Sequence, residues 1–310
     1  MSDPTTLAEA LRWVIHALNQ GKRRAPESVM TAEAEQLVDA AHFRMGRGRL
    51  SRMELYSRGA EPLSGPVWPL LKRMAEQRAG GKPLQHLTGF QTFLGHEYEV
   101  SNEVLIPRPE TEVLVARAIE DLSGRGLDHA LGLEVGLGSG IISIELLDRF
   151  PKLAMIATEV SPGAAKLAHR NAEKVLGVET GRLRVLTHAV PTRVCEPFIA
   201  VLGTRRADFL ISNPPYLSSP SEVEEQVRKH EPAVALFAPA ADPLFFYKAI
   251  ARDAKKILLD RAPVFVEIPH ERSSEVRAVF SSEGWDATIL NDLTGRERVL
   301  VAIARQAWTE

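Results

Sequence analysis

The first eighty residues place their apolar side chains at the spacing of amphipathic helices. Segments 5–20, 31–43 and 65–80 each repeat this pattern, and the Gly80-Gly81-Lys82-Pro83 stretch interrupts it. The pattern predicts a small helical domain over residues 1–84. In its first helix the apolar positions are Leu7, Leu11, Val14, Ile15 and Leu18.

A strand pattern replaces the helical one after residue 84. Residues 85–108 carry aromatic and β-branched residues around Leu94-Gly95, which predicts a β-hairpin linker. From residue 109 to 310, apolar runs of five to eight residues alternate with amphipathic helices, which is typical of a mostly parallel sheet covered on both faces. The short connection LTGRE makes the last strand antiparallel to the one before it. The seven runs are LGLEV, LAMIATEV, RLRVLTH, ADFLIS, APVFVEI, WDATILND and ERVLVAIA.

Composition narrows the class of protein. The 310 residues are 45% hydrophobic and 25% charged, as in soluble globular chains. The single cysteine, Cys195, excludes an internal disulfide framework and suits a reducing cytosol. The nine histidines form no pair with metal-ligand spacing, and the sequence contains neither a signal-peptide pattern nor a membrane-length apolar run. We expect a cytoplasmic protein without a metal or a membrane span.

A glycine-rich turn follows the first strand of the predicted sheet. Gly136, Gly138 and Gly140 surround Leu137 and Ser139 in a G-x-G-x-G spacing. Glycines let the backbone turn tightly and let a ligand lie against bare main chain. The third glycine of the dinucleotide pattern is absent, which favours a nucleoside ligand without a pyrophosphate.

Two acidic residues, Glu134 and Glu159, lie near the carboxyl ends of the first two strands of this sheet. Glu159 lies 19 residues beyond Gly140, where a carboxylate can accept hydrogen bonds from both ribose hydroxyls. Its alternative role is to cap the helix that begins near Pro162. Glu134 either orients the glycine loop or binds a ligand ammonium group through water.

The apolar run DFLIS stops at Asn213-Pro214-Pro215-Tyr216. The prolines lack an N–H group and restrict the residue before each of them, so the segment is a rigid row of acceptors. The side-chain oxygen of Asn213 and the carbonyl of Pro214 can together hold a planar –NH₂ group by both hydrogens. Tyr216 can pack on the planar group or face a positive charge. We expect catalysis to involve Asn213, Pro214 and Tyr216.

Over residues 70–305 the chain resembles the class I S-adenosylmethionine-dependent methyltransferases. Within that class it is similar to the family that methylates the glutamine of the Gly-Gly-Gln motif in peptide chain release factors. The resemblance rests on VLIPRPETEVLV, EVGLGSG, ISNPPYL, HEPAVALFAP and DLTGRERVLVA. The segment IPRPETE is the most specific, since DNA-adenine methyltransferases share NPPY.

The resemblance implies a Rossmann-like fold, S-adenosylmethionine as cofactor, and methyl transfer to the side-chain nitrogen (N5) of a protein glutamine. It implies that residues 136–140 and Glu159 hold the cofactor and that residues 213–216 hold the substrate glutamine. Arg108, Thr111 and Glu112 would form the edge of the active site. The helical domain would help to grip a release factor, with the chain acting as a monomer. The full set of implied cofactor contacts is Glu134, Gly136, Leu137, Gly138, Ser139, Gly140, Glu159, His188, Ala189 and Asn213.

The chain departs from its relatives at Leu137, at Pro269 and after the third strand, where His188 and Ala189 replace the usual acidic residue. His188 is either a substitute polar contact for adenine or a solvated strand-end side chain. A non-catalytic module therefore stays an alternative, as do a ribosomal-protein glutamine methyltransferase and an adenine-N6 nucleic-acid methyltransferase. Residues 86–310 carry 25 Lys/Arg against 31 Asp/Glu, which disfavours a nucleic-acid partner.

Overall fold

The structure is a computed structural model that describes residues 3–21, 25–63, 65–126, 129–187 and 194–305. The chain divides into two compact units. The first comprises residues 1–90 with the short segment 225–230, and the second comprises residues 91–224 and 231–310. The division after residue 90 falls inside the stretch predicted as a linker.

The first unit is helical in the part of it that the structure describes. Its core is built from apolar side chains such as Leu11, Leu37 and Leu71, which are almost fully buried. A buried ion pair joins two of its helices, because Arg78 donates from Nε and Nη2 to both carboxylate oxygens of Glu33 at 2.8 Å. The helices are α1 (Leu7–Asn19), α2 (Glu27–Arg44), α3 (Arg52–Ser57), α4 (Val67–Ala79) and α5 (Leu84–Thr88).

The second unit contains the predicted sheet and, apart from Phe90, the predicted hairpin. The hairpin is a two-stranded sheet of β1 (Phe90–Phe93) and β2 (His96–Glu99), joined by Leu94-Gly95. The other strands are β3 (Leu131–Val135), β4 (Ala154–Glu159), β5 (Leu183–Thr187), β6 (Phe209–Ser212), β7 (Pro263–Glu267), β8 (Trp285–Asn291) and β9 (Glu297–Ala304). The remaining helices are α6 (Pro109–Gly124), α7 (Ile141–Arg149), α8 (Pro162–Leu176), α9 (Glu196–Leu202), α10 (Glu225–His230, which belongs to the first unit), α11 (Ala233–Leu236), α12 (Phe245–Asp253) and α13 (Ser273–Ser282).

The seven strands β3 to β9 form one sheet in the order β5-β4-β3-β6-β7-β9-β8. The pairs from β5 to β7 are parallel, whereas β9 is antiparallel to both β7 and β8. This arrangement confirms the predicted Rossmann-like fold, with its mostly parallel sheet and antiparallel last strand. The strand order reverses between β3 and β6, and open α/β sheets bind their ligands at such a switch point.

Both faces of the central strands are buried. Along β6, Phe209 and Ile211 belong to one apolar cluster and Leu210 belongs to the other, as the alternation of strand side chains requires. Every residue of β3, β6 and β7 is buried, while the edge strands β5 and β8 are partly exposed. A rigid sheet centre therefore fixes the positions of the residues that follow β3 and β6.

Across the described residues, no helix combines the length and the apolarity needed to cross a bilayer. The same part of the chain holds no group of three or more His, Cys, Asp or Glu side chains placed to bind a metal ion.

Candidate active site

A cavity lies at the carboxyl end of the parallel strands, within the second unit. The space between its walls, counted with the open mouth, is about 1090 Å³. Its walls come from the loops after β3, β4 and β6, the segment before α6, and side chains of α7, α8, α11 and α12. The lining residues include Glu103, Leu105, Arg108, Thr111, Glu134, Gly136, Leu137, Gly138, Ser139, Glu159, Ala164, Val194, Asn213, Pro214, Pro215 and Phe246.

The glycine loop after β3 presents bare backbone to this cavity. Gly136 and Gly138 have φ of +77° and +55°, and a Cβ added to either would meet no protein atom within 4 Å. Gly140 has a packing role instead, because a Cβ there would lie 2.9 Å from Ile144 and 3.1 Å from Ala168. The first two glycines thus keep space for a ligand, and the third lets two helices approach.

Glu159 holds the glycine loop in place. Its Oε2 accepts the Gly138 N–H at 2.8 Å, and its Oε1 accepts the N–H groups of Val160 and Ser161 at 2.8 and 2.9 Å. The helix after it is capped by Ser161, whose Oγ accepts the Ala164 N–H, so Glu159 is not the cap that its position also suggested. A carboxylate has about four acceptor directions, which leaves Glu159 able to accept from a ligand.

Glu134 is completely buried at the end of β3, yet it lines the cavity. Its Oε2 accepts hydrogen bonds from the N–H and the hydroxyl of Ser143, whereas its Oε1 has no hydrogen-bond partner in the part of the chain that the structure describes. Burial raises the pKa of Glu134 to about 8, and the nearby Glu159 carboxylate adds to the rise. An unpartnered buried carboxylate oxygen is suited to a cationic ligand group.

Asn213 follows β6 directly and is oriented by a neighbouring helix. Its Nδ2 donates to Thr111 Oγ1 at 3.1 Å, and Thr111 Oγ1 in turn donates to Glu267 Oε2 at 2.7 Å. The oxygen and nitrogen of an amide point in different directions from the same carbon. With Nδ2 held by Thr111, the Oδ1 of Asn213 is left as the atom available to a ligand. No described residue donates to that oxygen.

The rest of the Asn-Pro-Pro-Tyr segment divides between cavity and core. Pro214 and Pro215 line the cavity, and neither brings an N–H donor to it. Tyr216 packs against the apolar cluster on one face of the sheet and is not among the cavity-lining residues. Burial raises the pKa of its hydroxyl to about 12, so Tyr216 stays neutral. Its expected contact with a ligand stays a prediction.

The residues expected at the edge of the site take different positions. Arg108 lines the cavity and pairs with the buried Glu231, which also accepts the Ile106 N–H at 3.0 Å. Thr111 lines the cavity but is only 2% exposed. Glu112 is not a lining residue, since its carboxylate accepts the Leu94 N–H at 3.2 Å.

The structure adds a residue to the site, and two of the expected residues fall outside the part it describes. Leu137 and Ser139 line the cavity, and their contact with a cofactor stays a prediction, whereas His188 and Ala189 lie outside the described residues. Glu267 was not singled out as a site residue. It is the last residue of an apolar strand, as Glu159 is, and that shared signal was sufficient to find it.

Sequence comparisons relate this chain to known proteins. Residues 9–89 match the family described as PrmC N-terminal domain. The release factor glutamine methyltransferase of Chlorobaculum tepidum is 33% identical over 267 residues, covering 83% of this chain and 86% of that protein. This chain belongs to the release factor glutamine methyltransferase family. The family member from Bacillus subtilis is 31% identical and aligns over 96% of this chain and 98% of its own length.

A solved structure is similar to this chain in fold. The catalytic domain of hMettl16, in complex with MAT2A 3′UTR hairpin 6, is similar with a TM-score of 0.50 and 16% identity. The match covers 76% of this chain and 92% of that one. At this identity the likeness concerns the fold alone. Family membership, carried by the sequence relatives, makes the chain a methyltransferase.

Proposed function

We propose that this chain transfers a methyl group from S-adenosylmethionine to the side-chain amide nitrogen (N5) of a glutamine in a protein, namely the Gly-Gly-Gln motif of a peptide chain release factor. The observation that carries the proposal is the Asn213 amide, whose Nδ2 is held by Thr111 beside the donor-free Pro214. This arrangement offers acceptors to a planar –NH₂ group. The curated relatives named for this activity support the choice of substrate.

The residues around the cavity fit the cofactor. Gly136 and Gly138 leave room against the main chain, and Glu159 retains acceptor capacity for ribose hydroxyls. The unpartnered Oε1 of Glu134 suits the ammonium group of a methionine moiety. When bound, S-adenosylmethionine supplies an electrophilic methyl group attached to a positively charged sulfur.

The protein must activate a weak nucleophile. A glutamine amide nitrogen shares its lone pair with the carbonyl group, so it attacks poorly. We infer that Asn213 Oδ1 and the Pro214 carbonyl accept its two hydrogens, which leaves the nitrogen's remaining direction free for the methyl group. These hydrogen bonds strengthen as positive charge develops on the nitrogen, and they therefore stabilise the transition state more than the ground state. As the bond from the nitrogen to the methyl carbon forms, the bond from that carbon to sulfur breaks and leaves a neutral thioether. The surplus proton of the nitrogen passes to water at the open mouth of the cavity.

The first unit is proposed to recognise the protein substrate. Its helices α1 to α5 have their own apolar core, and the residues matched by the PrmC N-terminal domain family fall within it. The predicted division of roles is a recognition domain over residues 1–84, a hairpin linker over 85–108 and a catalytic domain over 109–310.

A labelled-methyl assay tests this function. The protein is incubated with S-adenosylmethionine carrying a labelled methyl group and a purified release factor, and the product is digested for mass spectrometry. We expect one added methyl group on the glutamine of the Gly-Gly-Gln peptide. A release factor in which that glutamine is replaced by alanine is the control and should stay unlabelled. Label on a ribosomal protein or on nucleic acid, with none on the release factor, contradicts the proposal.

The glycine loop offers a second test. Gly138→Ala adds a methyl group where no protein atom lies within 4 Å, at a backbone φ of +55°. The left-handed conformation should cost about 1 kcal/mol of unfolding free energy. Because the added carbon occupies the ligand side of the loop, the Kd for S-adenosylmethionine should rise by more than about tenfold, which is about 1.4 kcal/mol. Isothermal titration and thermal unfolding measure the two effects.

Gly126→Ala is the matched control for this substitution. Gly126 has a similar φ of +65°, also meets nothing within 4 Å, and is exposed away from the cavity. It should lose similar stability while the Kd for S-adenosylmethionine stays unchanged. If both variants bind the cofactor equally well, the glycine loop is not the cofactor cradle.

A further inference from the structure

A hydrogen-bonded chain runs from the active-site amide into the protein interior. Asn213 Nδ2 donates to Thr111 Oγ1 at 3.1 Å, and Thr111 Oγ1 donates to Glu267 Oε2 at 2.7 Å. Thr111 is 2% exposed and Glu267 is 3% exposed, so water does not compete for these bonds. The three residues come from the loop after β6, the first turn of α6 and the end of β7.

The direction of these two hydrogen bonds depends on one proton. A threonine hydroxyl has a single hydrogen to donate. When Glu267 is ionised it can only accept, so the Thr111 hydrogen points to Glu267 and the Thr111 lone pairs face Asn213. Only the NH₂ side of the Asn213 amide can fill that position. When Glu267 is ionised, these hydrogen bonds therefore turn Asn213 Oδ1 towards the substrate side.

We infer that Thr111 and Glu267 are positioning residues that set which side of the Asn213 amide faces the substrate. The inference rests on the proposed function, because an outward Oδ1 is useful only for a substrate that donates N–H groups. A proton on Glu267 Oε2 reverses the direction of both hydrogen bonds. Glu267 then donates to Thr111, the Thr111 hydrogen points to Asn213, and the amide accepts it by turning Oδ1 inward. The outward NH₂ group cannot accept from a glutamine amide.

The groups around Glu267 place its titration near neutral pH. Burial raises the pKa of Glu267 to about 7, against the Thr111 hydrogen bond and the positive charges of Arg298 on β9 and Arg108 before α6. Glu110 on α6 adds to the rise. Two neutral tyrosines, Tyr216 and Tyr247, also lie near, and the Tyr247 hydroxyl donates to the Glu267 backbone carbonyl at 2.9 Å. Glu267 is protonated below about pH 7, so methyl transfer should quicken as the pH rises through that value.

Single-turnover kinetics at saturating S-adenosylmethionine test this inference in the methyl transfer itself. The wild-type rate constant should rise between pH 6 and pH 8, with a midpoint near 7. In Glu267→Gln the rise should disappear, because no proton remains to titrate. Glu145→Gln is the matched control: Glu145 is also buried and also has a raised pKa, but its partners are Tyr98 and His96. Its pH profile should match that of the wild type.

Substitution of Thr111 provides an independent arm. Thr111→Val keeps the shape and removes the hydroxyl, and it should lower the single-turnover rate about tenfold, the effect of losing one hydrogen bond worth about 1.4 kcal/mol. Thr111→Ser keeps the hydroxyl and should restore most of the rate. The Kd for S-adenosylmethionine should stay unchanged in both. Equal rates in the valine and serine variants overturn the inference.

A substrate-free measurement separates this inference from the proposed function. In protein labelled with ¹⁵N-asparagine, the Asn213 side-chain NH₂ signals should titrate near pH 7 in the wild type and stay constant in Glu267→Gln; Asn213→Gln assigns the signals. Signals that titrate without methyl transfer to a release factor contradict only the proposed function. Two results overturn the inference that Thr111 and Glu267 orient the Asn213 amide. One is methyl transfer by a protein whose Asn213 signals do not titrate, and the other is an unchanged pH profile in Glu267→Gln.

Discussion

Replacing Asn213 by alanine should lower the turnover of release-factor methylation by about a hundredfold or more, as expected for the loss of an acceptor that acts on developing charge. The Kd for S-adenosylmethionine should stay nearly unchanged. The reason is geometric: Asn213 is oriented through its Nδ2 by Thr111, and its Oδ1 is the atom left for the substrate amide. A group that acts in the transition state lowers kcat and kcat/KM together when it is removed.

Steady-state kinetics with labelled cofactor and isothermal titration measure the two quantities. Asn291→Ala makes the same chemical change at an exposed position on β8 and should leave both at the wild-type values. Asn213→Asp adds a sharper comparison. It keeps an acceptor oxygen but removes the donor to Thr111, so its turnover should also fall. A large loss of cofactor affinity with normal turnover in Asn213→Ala contradicts the assigned role.

Much of the sheet was predictable because its strands are buried on both faces. A central parallel strand appears in the sequence as an unbroken apolar run, and LGLEV coincides with β3 (Leu131–Val135). The runs ERVLVAIA and WDATILND likewise match β9 and β8 to within one residue. Strand order was not readable from these runs. It depends on how helices cross the sheet, which no local pattern records.

Several helices of the second unit were missed for a related reason. Phe245–Asp253 (α12) and Glu196–Leu202 (α9) are short, and their apolar side chains pack on one face of the sheet among residues from distant segments. Nine or seven residues give too few turns for a helical period to stand out. Tertiary packing, not intrinsic preference, stabilises helices of this length.

The site was partly predictable for the same physical reasons. Glycines at positive φ and acids at strand ends are local signals, so Gly138 and Glu159 could be placed from their spacing alone. The partners of Asn213 could not. Thr111 lies 102 residues before Asn213 and 156 residues before Glu267, and only the folded sheet brings these side chains together. Residue types indicate the chemistry, whereas the fold decides which atom of each residue is used.

Glu134→Gln should weaken S-adenosylmethionine binding by about a hundredfold at pH 8, or nearly 3 kcal/mol, typical of losing one partner of a buried charged pair. It should also make the affinity independent of pH. Burial raises the pKa of Glu134 to about 8 in the free protein, so at pH 7 most molecules carry it protonated. Pairing with a cofactor ammonium group requires the ionised form. In the wild type, binding at pH 7 should therefore release a proton, and the Kd should fall as the pH rises from 6 to 8.

Isothermal titration in two buffers of different ionisation enthalpy counts the released proton. Glu145→Gln, on the same helix as Ser143 but directed at Tyr98, is the matched control and should keep the wild-type Kd and proton release. If the wild-type Kd does not depend on pH between 6 and 8, or if Glu134→Gln binds as tightly as the wild type, Glu134 does not hold the ammonium group.

The Glu134 carboxyl group should also lower the free energy of unfolding of the cofactor-free protein at alkaline pH. In the unfolded chain Glu134 ionises near its ordinary pKa of 4.5, whereas in the folded chain it stays protonated up to about pH 8. The folded state thus holds a proton that the unfolded state has lost, and the free energy of unfolding falls as the pH rises from about 4.5 to about 8.

Glu134→Gln removes this loss and should raise the unfolding free energy of the cofactor-free protein at pH 8 by roughly 2 kcal/mol or more. Urea unfolding at pH 5 and pH 8 measures the difference, and a variant that gains no stability at pH 8 contradicts the burial of an ionisable Glu134. A stabilised variant that binds cofactor poorly is the expected result for a side chain retained for its ligand and not for its fold.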